Sequence, residues 1–225
     1  MINKSLLLPE NDPMGSAISD YYYNRKTNRL RVFSSQFDED EIPISQLFRS
    51  EKSMPILERT ALKMVKGKIL DVGAGSGCHS LVLQEKGFDV DAIDISPLSV
   101  DVMKQRGVRH AFQINLFDEQ FYQTYDTILM LMNGSGIIGK LENMQAFFLK
   151  MKQLLNPNGF ILMDSSDLRY LFEDEDGSFV IDLADDYYGE IDFQTLNYYA
   201  MQNGFKAELI MEGKHYDYLA KLSLA

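Results

Sequence analysis

Three glycines at alternate positions, Gly73, Gly75 and Gly77, follow a short apolar run (Ile69, Leu70, Val72) and precede the apolar residues Leu81, Val82 and Leu83. Glycine is required where a backbone turns sharply or where a ligand must approach without a Cβ in the way. A strand, a glycine loop and a helix in that order form a nucleotide-cradling corner at the C-terminal end of a parallel strand. The details of the loop narrow the ligand. The dinucleotide pattern Gly-x-Gly-x-x-Gly/Ala fails from Gly73, whose sixth place is Cys78, and from Gly75, whose sixth place is Ser80. Asp71, just ahead of the loop, would repel a pyrophosphate. A sulfonium-bearing nucleoside has no phosphate and tolerates that anion. The plainer alternative is a tight strand-to-helix turn with no ligand, which three glycines so closely spaced disfavour.

Asp94 follows Gly73 by 21 residues (94 − 73) and ends the next apolar run. A carboxylate there can accept hydrogen bonds from both hydroxyls of a ribose, or it can cap the helix that Ser96-Pro97 begins. Asn133-Gly134-Ser135-Gly136 follows the fourth strand, where its glycines let the backbone come close to a ligand. His79, in the first turn after the loop, can orient or deprotonate a substrate, or simply satisfy helix-end groups. Asp164 and Asp167 after the fifth strand, Glu190, and Tyr21, Tyr22 and Tyr23 are further possible substrate contacts, none singled out by spacing.

These residues need a frame. Residues 17–23 have helical character after an Asp12-Pro13-Met14-Gly15 turn, and Leu30, Val32 and Phe33 form a short extended piece. Asp38-Glu39-Asp40-Glu41 reads as a solvated loop. Residues 44–48 and 55–65 are helical, with Leu57, Ala61, Leu62 and Val65 on one face. Residues 1–66 therefore read as a mainly helical lid over a core spanning 67–225. From Lys68 onward strands and helices alternate. Gly87 ends the first helix, residues 88–95 form a strand, Ser96 caps the next helix with Pro97 in its first turn, and Gly107 closes it. Strands follow at 108–114, 125–132 and 160–164, the last after the turn Asn156-Pro157-Asn158-Gly159. Between them Leu141, Met144, Phe148, Met151 and Leu155 make one buried helical stripe. Such alternation implies a doubly wound, mostly parallel sheet. The end differs: residues 207–211 and 215–222 have only Glu212-Gly213-Lys214 between them, which makes an antiparallel hairpin. Asp91 falls inside a strand that the fold would cover on both faces.

With 225 residues and 45% hydrophobic composition the chain suits one sizeable core, and its apolar runs are too short to span a bilayer. The N-terminal leucine patch lacks a convincing cleavage site. A single cysteine fits a reducing cytoplasm, with Cys78 as a packing residue. The net charge of −11, with no basic cluster beyond Arg25-Lys26 and Arg29-Arg31, argues against nucleic acid and anionic membranes.

From Lys68 to Leu222 the chain resembles the class I S-adenosylmethionine-dependent methyltransferases. Asp71-Val72-Gly73-Ala74-Gly75-Ser76-Gly77 resembles that family's first motif, and the element order its seven-stranded Rossmann-like sheet. Asp12-Pro13-Met14-Gly15, Leu131-Met132-Asn133-Gly134 and Asp164-Ser165-Ser166-Asp167 resemble a bacterial subgroup with no assigned acceptor. The resemblance implies S-adenosylmethionine as cofactor, with Gly73, Ala74, Gly75 and Gly77 around it and Asp71 supporting the loop or the cofactor amino group. It implies Asp94 on the ribose and Ile95 on the adenine. Asn115 stands where the family usually has an acid for the adenine amino group, with the Leu116 N–H donating to the ring. Asn133 and Gly134 would approach the methionine part, and Arg49 is the first choice of cation for its carboxylate. A surface arginine is the alternative.

The implied reaction is direct in-line methyl transfer to a small-molecule acceptor. It needs no metal and no covalent intermediate, only alignment of nucleophile, methyl and sulfur about 3 Å apart and exclusion of water. A base is needed only for an acceptor protonated at neutral pH. Two alternatives remain open: a non-catalytic adenosyl-binding protein, and a nicotinamide-dependent oxidoreductase, which the glycine spacing and terminal hairpin oppose.

Overall fold

The computed structural model describes residues 4–26, 30–33, 40–167, 191–214 and 216–225. The chain opens with helix α1 (Pro13–Asn24), whose N-cap is Asp12: its Oδ1 accepts the Gly15 N–H at 2.8 Å, and Pro13 fills the first helical position. The expected turn at Asp12–Gly15 is therefore a helix start, because an Asp cap plus a proline with preset φ nucleates a first turn. Strands β1 (Leu30–Val32) and β2 (Asp40–Ile42) pair antiparallel, so Asp40 and Glu41 belong to a ribbon instead of a loop. Asp38 and Glu39 lie outside the described residues. A 3-10 turn at Ile44–Phe48 leads to α2 (Ile56–Met64).

The alternation then runs β3 (Ile69–Val72), α3 (Cys78–Glu85), β4 (Val90–Asp94), α4 (Pro97–Gln105), β5 (His110–Gln113), β6 (Tyr125–Met130), α5 (Met144–Leu154) and β7 (Leu155–Ser166). It closes with α6 (Phe193–Gln202), β8 (Phe205–Glu212) and β9 (Asp217–Leu224). The seven-stranded sheet has the order β5-β4-β3-β6-β7-β9-β8. Strands β3 to β7 pair in parallel, and β9 runs antiparallel between β7 and β8. Helix α6 has no counterpart in the sequence reading. Asp192 caps it by accepting the N–H groups of Gln194 and Thr195, and Leu196 and Ala200 bury its inner face.

Two boundaries moved for physical reasons. The Asn156–Gly159 turn sits inside β7, where the register against β6 shifts between Tyr125 and Thr127 and Gly159 packs against the Tyr125 backbone. Leu141 lies in a separate 3-10 turn and Leu155 begins β7, so Met144, Phe147, Phe148, Met151 and Leu154 form the buried stripe of α5.

The sheet is covered on both faces. On one, α5 and α6 pack with Ile128, Met130, Ile161 and Phe205. On the other, Leu57, Ala61 and Leu62 of α2 join Ile69, Leu83, Leu129, Leu162 and Leu219. Each such leucine contributes about 1.5–3 kcal/mol by leaving water. Helix α2, expected as part of a lid, is thus a covering layer of the sheet. Asp91 is explained by its neighbours: register sets it beside His110, and its carboxylate meets Lys68 Nζ (3.1 Å), the Tyr125 hydroxyl (3.0 Å) and His110 Nδ1 (3.2 Å). No helix among the described residues is long and apolar enough to cross a membrane.

Candidate active site

Strands β3 and β6 lie at the point where the sheet's chain order reverses, and in open α/β sheets ligands bind outside the strand ends there. The glycine loop leaves β3 and enters α3. Its position is fixed across to β4, since the N–H groups of Gly73 and Ala74 both donate to the Ile93 carbonyl (2.9 and 3.1 Å). Gly73, Gly75 and Gly77 all have positive φ. Their surroundings differ. A Cβ on Gly77 would lie 2.8 Å from Val108 Cγ2, so that glycine serves packing. A Cβ on Gly73 would meet Ile137 Cδ1 at 3.0 Å, whereas one on Gly75 would find nothing nearer than the Gly73 carbonyl at 4.0 Å. Open space at a positive-φ glycine is what a ligand cradle requires.

Asp94 lies against that space. Its Oδ2 accepts the Gly75 N–H and its Oδ1 the Ser96 N–H, both at 2.9 Å. Burial pushes its pKa up, and the two backbone bonds pull it back. Each oxygen keeps lone pairs for further donors. Ser96 caps α4 through Ser99 N and donates its hydroxyl to Asp12, which ties α1 to the same corner. Ile95 is 38% exposed beside it.

The N-terminal segment lies along this rim. Leu7 N donates to the Ile95 carbonyl (3.1 Å), and Gln113 Nε2 donates to the carbonyls of Leu7 and Ile95. Asn115 donates its amide to the Ser5 carbonyl (3.0 Å) and accepts the Phe117 N–H at Oδ1 (2.9 Å). Asn115 is therefore a buried anchor for chain crossing over it, and Leu116 packs its side chain into the core.

Across the switch point, β6 is followed by two consecutive left-handed residues, Met132 (φ 67°) and Asn133 (φ 59°), both exposed. Such residues cost about 1–3 kcal/mol each and persist only where the surroundings hold them. Asp164 does so: it accepts the Met132 N–H (2.9 Å) and the Gly134 N–H (3.1 Å). Burial lifts the Asp164 pKa to about 6 against the pull of those two amides. Gly134 packs tightly, since a Cβ there would lie 2.7 Å from that of Met130. Asn133 Oδ1 accepts from the Ser166 hydroxyl. Asp167 is fixed through its own N–H on the Tyr216 carbonyl.

Behind the loop sits a polar group that the sequence reading saw only in part. His79 is buried with Nε2 2.7 Å from Glu58 Oε2, so one of its two ring nitrogens is engaged by Glu58. Burial works to lower its pKa, but the Glu58 hydrogen bond and the charges of Asp71 and Glu58 outweigh that and raise it. The other Glu58 oxygen takes Arg49 Nη2, while Nη1 donates to the Gln46 carbonyl (2.6 Å). Asp71 accepts the Ser80 hydroxyl at 2.6 Å, and burial raises its pKa. Glu58 was missed although the signal was present: it stands three, four and seven positions before Ala61, Leu62 and Val65, on the apolar face itself.

Arg106 was missed as well. Its Nη1 donates to the carbonyl and hydroxyl of Ser76 (2.6 Å each), and its guanidinium lies 4.8 Å over the Phe48 ring. The Ser76 hydroxyl in turn donates to the Leu47 carbonyl. Tyr21 packs on Phe48, and Tyr22 and Tyr23 donate to Gln105 and Asp101 of α4. Burial pushes the Cys78 thiol up to about 11, which suits packing and not nucleophilic attack. Glu190 lies outside the described residues.

Comparison with known proteins places these features. A family profile described as "Methyltransferase domain" matches residues 70–161. The crystal structure of an S-adenosylmethionine-dependent methyltransferase from Bacteroides fragilis, in complex with S-adenosyl-L-homocysteine, is 67% identical, covers 99% of each chain and superposes with a TM-score of 0.93. A ubiquinone biosynthesis O-methyltransferase of Rickettsia canadensis is 30% identical over 105 residues, covering 44% of this chain and 43% of its own. A magnesium-protoporphyrin O-methyltransferase of Rhodobacter capsulatus is 28% identical over 90 residues, covering 39% of this chain and 40% of its own. The matches thus span about two-fifths of the length of these curated relatives.

Proposed function

Because the chain belongs to the class I S-adenosylmethionine-dependent methyltransferases, we propose that it transfers the cofactor's methyl group directly to a small-molecule acceptor. The observation that carries this reading is the juxtaposition of Asp94 with the open space at Gly75. A carboxylate held by backbone amides, with lone pairs to spare, fits ribose hydroxyls, and a missing Cβ fits a close ligand. The glycine spacing and the terminal hairpin speak against a nicotinamide dinucleotide.

In this reading Gly73, Ala74, Gly75 and Gly77 form the cradle and Asp71 braces it through Ser80. Asp94 grips the ribose and Ile95 lies on the adenine. Asn115 and the Leu116 backbone stand at the adenine edge. Asn133 and Gly134 line the methionine part, and Arg49 takes its carboxylate. When bound, S-adenosylmethionine supplies a methyl group already activated by its sulfonium. The chain's own task is orientation and exclusion of water, which can supply roughly 7–11 kcal/mol of barrier reduction. His79 and Asp164 serve the pocket's shape, because His79 Nε2 already meets Glu58 and both Asp164 oxygens hold the 132–134 backbone. Asp167 remains a weaker choice for a base. The described parts of residues 1–66 close over the corner, anchored by α2 on the sheet.

A small acceptor is supported by the names of the ubiquinone and magnesium-protoporphyrin relatives. The net charge of −11 disfavours nucleic acid and anionic membranes, and the buried thiol suits the cytoplasm. The test is thermal. S-adenosylhomocysteine at 100 times its dissociation constant stabilises the fold by about 2.7 kcal/mol, a melting shift of about 5–10 °C at this chain length. NAD should give none, and the reverse result overturns the reading. Turnover across an acceptor panel then separates an enzyme from a binding protein.

A further inference from the structure

Arg49, Glu58 and His79 come from three separate segments and meet at one buried carboxylate: the residue after the Ile44–Phe48 turn, the first turn of α2 and the first turn of α3. Glu58 is 4% exposed, with Arg49 on one oxygen and His79 on the other. A carboxylate this deep is costly unless both oxygens are satisfied, and here both are. The guanidinium is not. The side chain of Arg49 is 9% exposed, and its Nε is buried with no hydrogen-bond partner among the described residues. A buried, unpaired N–H donor costs about 1–3 kcal/mol, and a charged one more. Two residues away, the Leu47 carbonyl accepts the Ser76 hydroxyl of the glycine loop. The orphan donor therefore belongs to a cation fastened against the cradle.

We propose that Glu58 and His79 are positioning residues that hold Arg49 for the carboxylate of the cofactor's methionine end, making the pocket selective for adenosyl ligands that carry an amino-acid tail. The inference rests on the function proposed above. Glu58 takes Nη2 and the Gln46 carbonyl takes Nη1, which fixes the guanidinium plane and leaves Nε as its donor without a partner among the described residues. His79 fixes Glu58 from the other side, so the arginine cannot rotate with its partner. Gly77 and His79 flank the start of α3, so the clamp and the cradle share one helix terminus.

The experiment compares two ligands with the same adenosyl thioether. S-adenosylhomocysteine has the amino-acid tail and 5′-methylthioadenosine lacks the carboxylate and amino groups. Calorimetric dissociation constants are measured for the wild type, Glu58→Gln and His79→Phe, with ligand-free melting curves as the check on folding. Glu58→Gln should weaken S-adenosylhomocysteine about 10- to 100-fold, while methylthioadenosine stays within about twofold. His79→Phe keeps the ring volume and should show a smaller loss of the same selectivity, which covers the case in which Glu58→Gln does not fold. Equal weakening of both ligands, or of neither, overturns the proposal. Equal wild-type affinity for the two also overturns it, whereas a wild type that binds neither defeats the methyltransferase reading itself.

Discussion

Strand β4 carries two acids three residues apart, and the two ends of the strand treat them differently. At its start, Asp91 is met by the side chains of Lys68, His110 and Tyr125. At its end, Asp94 is met by two backbone N–H groups, of Gly75 and Ser96. Side-chain cations neutralise a carboxylate and complete it. Amides orient one and leave its charge and spare lone pairs for something else. Asp164, at the same edge of the sheet, is likewise held by amides, of Met132 and Gly134. On the proposed function, the completed acid belongs to the structural end of the sheet and the amide-held acids to its ligand-binding end.

The comparison can be broken first at the cradle. Gly75→Val puts a branched side chain into the open space and strains a φ of 56°. It should abolish the melting shift with S-adenosylhomocysteine, at a stability cost of about 1–2 kcal/mol for the left-handed residue. A retained shift would place the ligand elsewhere. Next, Asp94→Ala should weaken S-adenosylhomocysteine by about two orders of magnitude in calorimetry, because two charge-assisted bonds are lost. Binding within threefold of the wild type would make Asp94 only a helix cap.

The third effect is on pH. The folded Asp164 pKa is raised to about 6 from the ordinary 3.8. A raised acid binds its proton more tightly when folded, so its contribution is full below about pH 4 and is lost as pH rises through 6. The unfolding free energy of the wild type, from denaturant titrations, should therefore fall between pH 4 and 6 relative to Asp164→Asn, by up to about 3 kcal/mol. Parallel curves for the two proteins would contradict this. The smallest effect is at the other end of β4. Asp91→Asn should cost about 1–3 kcal/mol, less than a fully buried pair because the Lys68 and His110 side chains are 28% and 50% exposed. It should leave S-adenosylhomocysteine affinity within about twofold, and a tenfold loss would erase the distinction between the two ends.

Much of this contrast was legible in the sequence. Glycine and proline punctuation, an N-cap serine and helical stripes are local signals, and they placed β3 to β7, the connecting helices and the terminal hairpin. The placement of Gly75 after β3 and of Asp94 at the end of β4 was readable for the same reason. What could not be read depends on partners far along the chain. Asp91 needed Lys68, Tyr125 and the strand register with His110. Asn115 needed the Ser5 carbonyl, 110 residues away. Two misses were avoidable: Asp12-Pro13 is a helix-start pair, and Glu58 shares the apolar face of α2 with Ala61 and Leu62. A buried charge on such a face announces a partner, and that partner was the His79–Arg49 pair.

The most direct measurement is a crystal structure of the protein with S-adenosylhomocysteine. The nucleoside should occupy the space beside Gly75, with both ribose hydroxyls within hydrogen-bond distance of Asp94. A nucleoside bound away from that corner, or a ribose that leaves Asp94 untouched, would contradict it.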